Sequence, residues 1–224
     1  MIGILTAACA PAIALLTFFY LKDEFEQEPV HMVIRCFVFG ALLVFPAMFT
    51  QYVISEETSM TSPLFHILIE TVFIEEFFKW FTVLGAVYFH VHFNQRYDGI
   101  VYAVAVGLGF AAMENIFYLL ANGLESAFLR AVFPVTSHAL FGVVMGYYFG
   151  LAKFSKHKFL FLSAAVVLPY IFHSIYNAIL IHFESWSVLI IPFMIFLWIF
   201  AMHKVKLANR QHSNSDEAVP WRFS

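Results

Sequence analysis

The stretch ETVFIEEFFKW, residues 70–80, places three carboxylates and a lysine inside a segment that otherwise resembles a membrane span. Residues 64–89 are apolar apart from these groups and a few small polar side chains. At ~1.5 Å per residue, a helix over this range is long enough to cross the hydrocarbon of a bilayer. A charged side chain at mid-helix costs roughly 2.5 to 3.5 kcal/mol there, so several are retained only where they face protein or water.

The helical spacing of these groups predicts one shared polar pocket. Glu75 and Lys79 lie four residues apart on one face, and Glu76 is about 100° round the helix from Glu75. A buried ion pair that only fixes helix packing would explain Glu75 with Lys79 but would leave Glu76 without a partner. The pattern therefore favours a functional site whose other members come from elsewhere in the chain.

Composition places the chain among polytopic membrane proteins. Of 224 residues, 62% are hydrophobic and 12% charged, and the mean hydropathy is +0.81, which excludes an ordinary soluble domain. Cys9 and Cys36 lie in apolar segments, which is typical of small buried hydrophobic residues rather than a disulfide or metal pair. We expect the lipid bilayer as the surroundings of the chain and no nucleic-acid partner.

Seven apolar segments predict an all-α bundle of about seven transmembrane helices. They cover residues 2–21, 32–53, 64–89, 99–121, 127–151, 159–182 and 187–202, and short loops join them. We interpret residues 1–202 as one transmembrane domain and residues 203–224 as a polar cytoplasmic tail. Short cytoplasmic loops collect Lys and Arg, and an N-out, C-in orientation leaves only Arg130 on the outer side.

Three further spans carry polar side chains. The fourth contains GLGFAAMENIFY with Glu114 and Asn115, the fifth contains His138, and the sixth contains HSIYN, in which His173 and Asn177 share a face. An isolated intramembrane His or Asn often contributes only ~0.6 to 2 kcal/mol of interhelical hydrogen bonding. For His138 or Asn177 alone, that structural explanation is as good as a functional one.

The depth of these residues in the membrane favours a common site. Counting ~1.5 Å per residue puts Glu75, Glu76 and His138 ~16 to 18 Å below the outer surface. The same count puts Glu114 and His173 ~21 to 23 Å above the cytoplasmic face of a ~30 Å core. Four helices thus bring acids, imidazoles and an amide into one layer, which predicts a shared hydrated cavity.

This set of groups suits peptide hydrolysis, which needs an activated water, a group that stabilises the oxyanion and an acid for the leaving amine. The His-Glu-x-x-His and Gly-x-Ser-x-Gly signatures are absent from the sequence. Two mechanisms stay open. In one, Glu75 or Glu76 activates water while His173 and Asn177 hold the oxyanion. In the other, two histidines and a carboxylate bind Zn²⁺; the ligands would be His138, His173 and either Glu76 or Glu114.

The motifs together resemble those of the PrsW family of intramembrane proteases, which is distantly similar to CAAX prenyl proteases. The motifs are Glu75-Glu76-x-x-Lys79, Gly-Phe-x-x-x-Glu114-Asn115, His138 and His173-x-x-x-Asn177. The early YLKDEFEQEP stretch and Asp98-Gly-Ile-Val-Tyr102 also resemble that family, whereas some members carry Asp at the position of Asn177.

What the resemblance implies is a multi-pass protease of the bacterial plasma membrane that uses a glutamate or a metal. Its expected partner is a single-span anti-sigma factor. The protease would make the first cut in that protein on the extracytoplasmic side, releasing a sigma factor during envelope stress. Two alternatives have different consequences. A proton or ion transporter would also retain intramembrane carboxylates, and a non-catalytic scaffold would tolerate Glu75→Gln and His173→Ala.

Overall fold

A computed structural model describes residues 1–57, 62, 66–183 and 185–217, and these residues form an all-helical bundle. The prediction of an all-α polytopic fold is confirmed. Residues 58–61 and 63–65, between the second predicted segment and the start of the third, lie outside the described residues, as do Glu184 and the last seven residues of the tail. The seven principal helices are α1 (Ile2–Leu21), α2 (Val30–Glu57), α3 (Ile74–Val83), α4 (Asp98–Asn122), α5 (Thr136–Phe154), α6 (Lys158–His182) and α7 (Trp186–Glu217).

The charged third segment differs from the other spans. Within the described residues, six helical stretches are long and apolar enough to cross a membrane, and α3 is not among them. Instead, α3 is a ten-residue α-helix flanked by π-helical stretches, His66–Phe73 before it and Leu84–Tyr88 after it. The wider turns of π-helix are rare and occur often at functional sites. The helical path still runs from His66 to Tyr88, as the apolar segment predicts.

A second π-helical region leads into α5. Gly123 ends α4, the short helix Ala127–Arg130 follows, and the π-helical stretch Ala131–Val135 connects it to α5. This stretch contains Pro134, which has no backbone N–H to donate. At the start of α5, the hydroxyl of Thr136 donates to the carbonyl of Ala131, at 3.0 Å.

Helices α4 and α5 form the centre of the bundle. The apolar window of α4 is 78% buried and that of the chain segment containing α5 is 61% buried, against 17–33% for the other four spans. Small residues allow the two helices to approach closely: a Cβ atom on Gly146 would overlap the carbonyl oxygen of Gly99. A Cβ atom on Gly109 of α4 would likewise overlap the carbonyl oxygen of Phe37 in α2. The central pair therefore fixes the positions of the polar side chains it carries.

Contacts between helix ends show that successive spans alternate in direction. Tyr97, just before α4, donates its hydroxyl to the Phe19 carbonyl near the end of α1, at 2.8 Å. Lys153 near the end of α5 donates to the carbonyl of Tyr88, at 2.5 Å, close to where the third segment ends. These groups mark one end of the bundle, which the N-out, C-in prediction assigns to the cytoplasm.

The same end holds the two other stretches that resemble the PrsW family. Tyr102 donates its hydroxyl to the carboxylate of Glu28, and Asp98 accepts the backbone N–H groups of Asn94 and Gln95, at 2.7 and 2.6 Å. Burial raises the pKa of Glu28. The first contact ties the α1–α2 loop to α4, and the other two fix the loop that precedes α4. They are structural, since Asp98 lies sixteen residues, or ~24 Å, along the helix from Glu114.

The last helix extends beyond the predicted domain boundary. Helix α7 continues from Trp186 to Glu217, whereas the apolar segment was expected to give way to a tail at residue 203. Its last part follows the apolar span, which ends at Arg210. Asn209 is buried there and donates to the carbonyl of Lys22, at 3.0 Å, so this part of the tail packs against the bundle.

Candidate active site

Helix α3 places two glutamates around one lysine. The Lys79 ammonium lies 2.9 Å from Glu76 Oε1 and 3.6 Å from Glu75 Oε2. All three residues are buried, and Lys79 also lies over the ring of Phe110, with Nζ 4.2 Å from the ring centroid. The three side chains therefore share one buried pocket, as their spacing predicts. Because one ammonium serves two carboxylates, Glu76 needs a further hydrogen-bond partner.

That partner comes from α6. His173 Nδ1 lies 2.9 Å from Glu76 Oε1, and both side chains are almost completely buried. The His173 ring stacks on Phe141 of α5, with the centroids 5.1 Å apart and the planes 25° apart. The stacking and the hydrogen bond together fix the orientation of the imidazole. The other carboxylate oxygen of Glu76, Oε2, is buried and has no hydrogen-bond partner among the described residues.

His138 of α5 links the two halves of the site. Its Nδ1 lies 3.0 Å from Lys79 Nζ, and its Nε2 lies 3.2 Å from Glu114 Oε2. Because an ammonium has no lone pair, Nδ1 must accept from Lys79, which leaves the ring proton on Nε2 to be donated to Glu114. The contacts thus select one neutral tautomer, whose Nδ1 lone pair points into the cluster.

Arg130 completes the site and was not predicted. Its Nη2 lies 3.1 Å from Glu114 Oε1, and its Nε donates to Asn115 Oδ1 at 2.8 Å. Asn115 in turn lies 3.5 Å from the carbonyl of Ala8, through Nδ2. The one signal in the sequence was that Arg130 stands alone on the outer side of an N-out topology.

The structure brings together most of the predicted site residues, but only some of them are in direct polar contact with one another. We define the cluster as the side chains joined by direct polar contacts around Lys79 and His138: Glu75, Glu76, Lys79, Glu114, His138 and His173. Asn115 reaches this cluster only through Arg130. The half-buried side chain of Asn177 makes no hydrogen bond to the cluster within the described part of the chain.

One side of the cluster opens into a groove. A cavity of about 350 Å³ lies between α2 and α4, with Glu75 and Glu114 in its lining. The side chain of Glu114 is 38% exposed and that of Glu75 is 11% exposed, against 1% for Glu76. Gln51 of α2, which the sequence analysis did not single out, also lines the groove, and its Nε2 lies 3.5 Å from Glu75 Oε1. Glu75 is thus the glutamate of α3 that a molecule in the groove could reach.

The cluster also has the composition of a metal site. Glu75, Glu76, His138 and His173 each offer one ligand atom, and these four atoms lie within 4.8 Å of one another. The cluster and its neighbour Arg130 contain three carboxylates but only two side chains that are always cationic partners, Lys79 and Arg130, and this excess of acidic groups suits a bound cation. Nitrogen and carboxylate ligands of this kind are typical of catalytic zinc. Glu114 is not among the four groups, and its carboxylate contacts His138 Nε2 and Arg130.

Comparison with known proteins gives consistent matches over most of the chain. A family model described as "PrsW family intramembrane metalloprotease" matches residues 28–203. The chain is 51% identical over 210 residues to "Protease PrsW" of Oceanobacillus iheyensis, covering 93% of this chain and 97% of that one. It is 48% identical to "Protease PrsW" of Bacillus subtilis, with coverages of 93% and 96%. It is 29% identical to the protein of that name in Clostridioides difficile, with coverages of 83% and 82%. No solved structure matches the chain.

Proposed function

The chain belongs to the PrsW family of intramembrane metalloproteases, and we propose that it makes the first, extracytoplasmic-side cut in a single-span anti-sigma factor. That cut would begin the release of a stress-response sigma factor. The family and the six apolar spans identify a multi-pass bacterial membrane peptidase. The site lies nearer the end of the bundle where α4 ends and α5 begins. The predicted N-out, C-in orientation assigns this end to the outside, and a site at that end supports a cut near the outer surface.

The observation that carries the proposal is the position of Glu75. This carboxylate belongs to the buried cluster through Lys79, and it also lines the groove between α2 and α4. A general base must reach both the water that it deprotonates and the bond that the water attacks. Glu76 is enclosed by Lys79 and His173, so of the two neighbouring glutamates Glu75 is the better candidate for the base.

In the proposed reaction, Glu75 takes a proton from a water molecule as the water oxygen bonds to the carbonyl carbon of the scissile peptide. Lys79, whose ammonium faces both glutamates and His138, stabilises the negative charge that develops on the carbonyl oxygen. Glu75 then gives the proton to the amide nitrogen as the carbon–nitrogen bond breaks. The products are a carboxylic acid and an amine, and the base returns to its starting charge.

The remaining residues of the cluster hold these groups in position. Glu114 fixes the tautomer of His138, and Arg130 fixes Glu114. His173 and Lys79 share Glu76 Oε1, which anchors α6 against α3 next to the base. Locked orientations matter because a reacting group displaced by about 1 Å can cost ~100-fold in rate.

The four ligand atoms and the unpartnered Oε2 of Glu76 fit a divalent metal ion. Glu75, Glu76, His138 and His173 are the residues that would hold it. An ion such as Zn²⁺ bound there would supply Lewis acidity toward water and toward the peptide carbonyl. Lys79 donates to Glu76 and to Nδ1 of His138, so a metal ion bound by these two groups would displace the ammonium from them.

The test is cleavage of a purified single-span anti-sigma factor in proteoliposomes that contain this protein. We expect the wild-type protein to produce one cut on the outer side and Glu75→Gln to abolish it. Glu125→Gln is the matched control, since Glu125 is an exposed carboxylate outside the cluster. Intact substrate with wild-type protein, or unchanged cleavage by Glu75→Gln, would reject the proposed function. Proton or ion flux without cleavage would favour a transporter.

A further inference from the structure

The groove between α2 and α4 connects the apolar surface of the bundle to the cluster. It is lined on one side by α2 and on the other by α4, and Glu75 and Glu114 of the cluster lie in its wall. Its apolar lining includes Val44, Ala47 and Met48 of α2 and Phe110, Phe117 and Tyr118 of α4. The groove therefore joins an apolar surface to the proposed general base.

The rim of the groove faces the surroundings of the bundle. Met48 is 52% exposed, and Phe117 and Tyr118 are 36% and 38% exposed, whereas Val44 and Ala47 on the floor are buried. Since these residues lie on helices of the apolar spans, the exposed rim meets lipid. A segment of a second membrane protein could thus enter sideways from the bilayer.

The length of the groove suits a short extended peptide. Its lining runs from Phe110 to Asn122 on α4, thirteen residues whose ends lie ~18 Å apart along the helix. The cavity holds about 350 Å³. An extended chain rises ~3.3 Å per residue, so the groove accommodates about five residues of unwound peptide.

Polar groups at the outer end of the groove fit such a peptide. Gln51 and Asn122 line it there, and each side-chain amide carries both donors and acceptors. A peptide that leaves its own helix in an apolar environment needs partners for its freed backbone N–H and C=O groups. The apolar floor, by contrast, gives a charged side chain no partner until the peptide reaches the two glutamates.

We propose that the α2–α4 groove binds an unwound, uncharged segment of about five small or apolar residues at the outer end of the substrate's membrane-spanning helix. The inference rests on the proposed function, since it names the substrate segment that reaches Glu75. The segment enters laterally from lipid, its apolar side chains lie on Val44 and Ala47, and its backbone passes Gln51 on the way to the cluster. A helix that resists unwinding, or a charge within these residues, makes a membrane protein a poor substrate.

A crosslinking experiment tests the groove without relying on cleavage. The probe is a synthetic single-span peptide whose outer turn is replaced by a Gly-Ala segment with one cysteine. It is reconstituted with protein in which Cys9 and Cys36 are replaced by alanine. Single cysteines are introduced in the groove as Met48→Cys and Ala121→Cys, and at neighbouring positions outside its lining as Phe49→Cys and Leu120→Cys. The two control residues, Phe49 and Leu120, are 69% and 54% exposed, so a cysteine at either position is accessible.

We expect a disulfide to the probe at positions 48 and 121 but not at 49 and 120. Equal crosslinking at all four positions, or none at 48 and 121, would overturn the groove as the binding site. The proteoliposome cleavage assay is scored separately. Crosslinks in the groove without cleavage of the anti-sigma factor would reject only the proposed function, and cleavage without those crosslinks would reject only the groove.

A second measurement uses the substrate itself. Ala121→Trp fills the groove, and we expect it to reduce kcat/KM for the anti-sigma factor by roughly tenfold or more. Leu120→Trp adds the same side chain on the lipid side of α4 and should leave kcat/KM within about twofold of wild type. Equal effects of the two substitutions would contradict a groove that binds substrate.

Discussion

Arg130 and Glu114 form an ion pair between the segment that leads into α5 and the middle of α4, with Nη2 3.1 Å from Oε1. Glu114 accepts in turn from His138 Nε2, so the guanidinium holds the histidine through the carboxylate. The same guanidinium donates to Asn115, and a lysine cannot reproduce both contacts because it lacks the planar fork of donors. Arg130 is therefore a positioning residue for the active site.

Arg130→Lys should lower kcat by about 10- to 100-fold with a smaller change in KM, the usual cost of losing an outer hydrogen bond to a ligand or catalytic histidine. The cleavage assay at varied substrate concentration measures both constants. Arg35→Lys is the control, since Arg35 is an exposed arginine of α2 far from the cluster. Wild-type kcat in Arg130→Lys would show that the ion pair does not position His138.

The pair of Lys79 and Glu76 should show strong energetic coupling. Lys79→Met leaves two buried carboxylates without their cation and should lower the free energy of unfolding by about 3 to 5 kcal/mol. Combining it with Glu76→Gln removes one of the uncompensated charges and should recover part of that loss, although neither protein should cleave substrate. Denaturant unfolding in detergent micelles measures this. Simple addition of the two single-mutant effects would contradict the coupling.

Metal content should follow the four ligand residues. We expect about one divalent ion per chain in the purified protein, loss of activity with a chelator, and recovery when Zn²⁺ is restored. His138→Ala and His173→Ala should each reduce the bound metal, as measured by elemental analysis, whereas His203→Ala, outside the cluster, should retain it. Full cleavage by protein free of metal would instead favour a mechanism that uses glutamate alone.

The contact of Gly146 with Gly99 should be sensitive to a single methyl group. Gly146→Ala places a Cβ against the Gly99 carbonyl in the most buried helix pair, so we expect a loss of about 1 to 3 kcal/mol in unfolding free energy. Gly85→Ala is the matched control, because nothing lies within 4 Å of a Cβ there. Equal stability of the two variants would mean that α4 and α5 do not pack this closely.

The N-out, C-in orientation can be tested at two loops. Gly123 follows α4 and Ser155 follows α5, so the two residues lie at opposite ends of the bundle. In a chain without Cys9 and Cys36, we expect Gly123→Cys to react with an impermeant thiol reagent in intact cells. Ser155→Cys should react only after the membrane is breached. The reverse pattern would place the active site nearer the cytoplasm and remove the support for an outer cut.

Much of the fold follows from local pattern. A run of some twenty apolar residues must form a helix in lipid, because each backbone group needs a partner within its own segment. The sequence therefore predicts the helical segments, and it predicts Glu75 with Lys79 from their spacing. It does not predict where α7 ends or that α3 lies between π-helical stretches, since packing against neighbours decides these features.

The site residues that the sequence missed share a physical cause. Arg130 and Gln51 each contact a carboxylate more than fifteen positions away, and no periodicity within one helix indicates such a pair. Asn177 shares a helix face with His173, yet the described residues give it no hydrogen bond to the cluster. A common face indicates only the direction of a side chain.

By itself, then, the sequence determined that the chain is a membrane-embedded helix bundle with ionisable groups at similar depth, because hydropathy and helical spacing are properties of short segments. Only the tertiary structure decided that His138 holds Lys79 and Glu114 at once, that Glu76 is enclosed, and that Glu75 faces a groove. Those relationships depend on how helices α2, α3, α4, α5 and α6 are rotated and how closely they pack around the glycines of α4 and α5. No single segment encodes this packing.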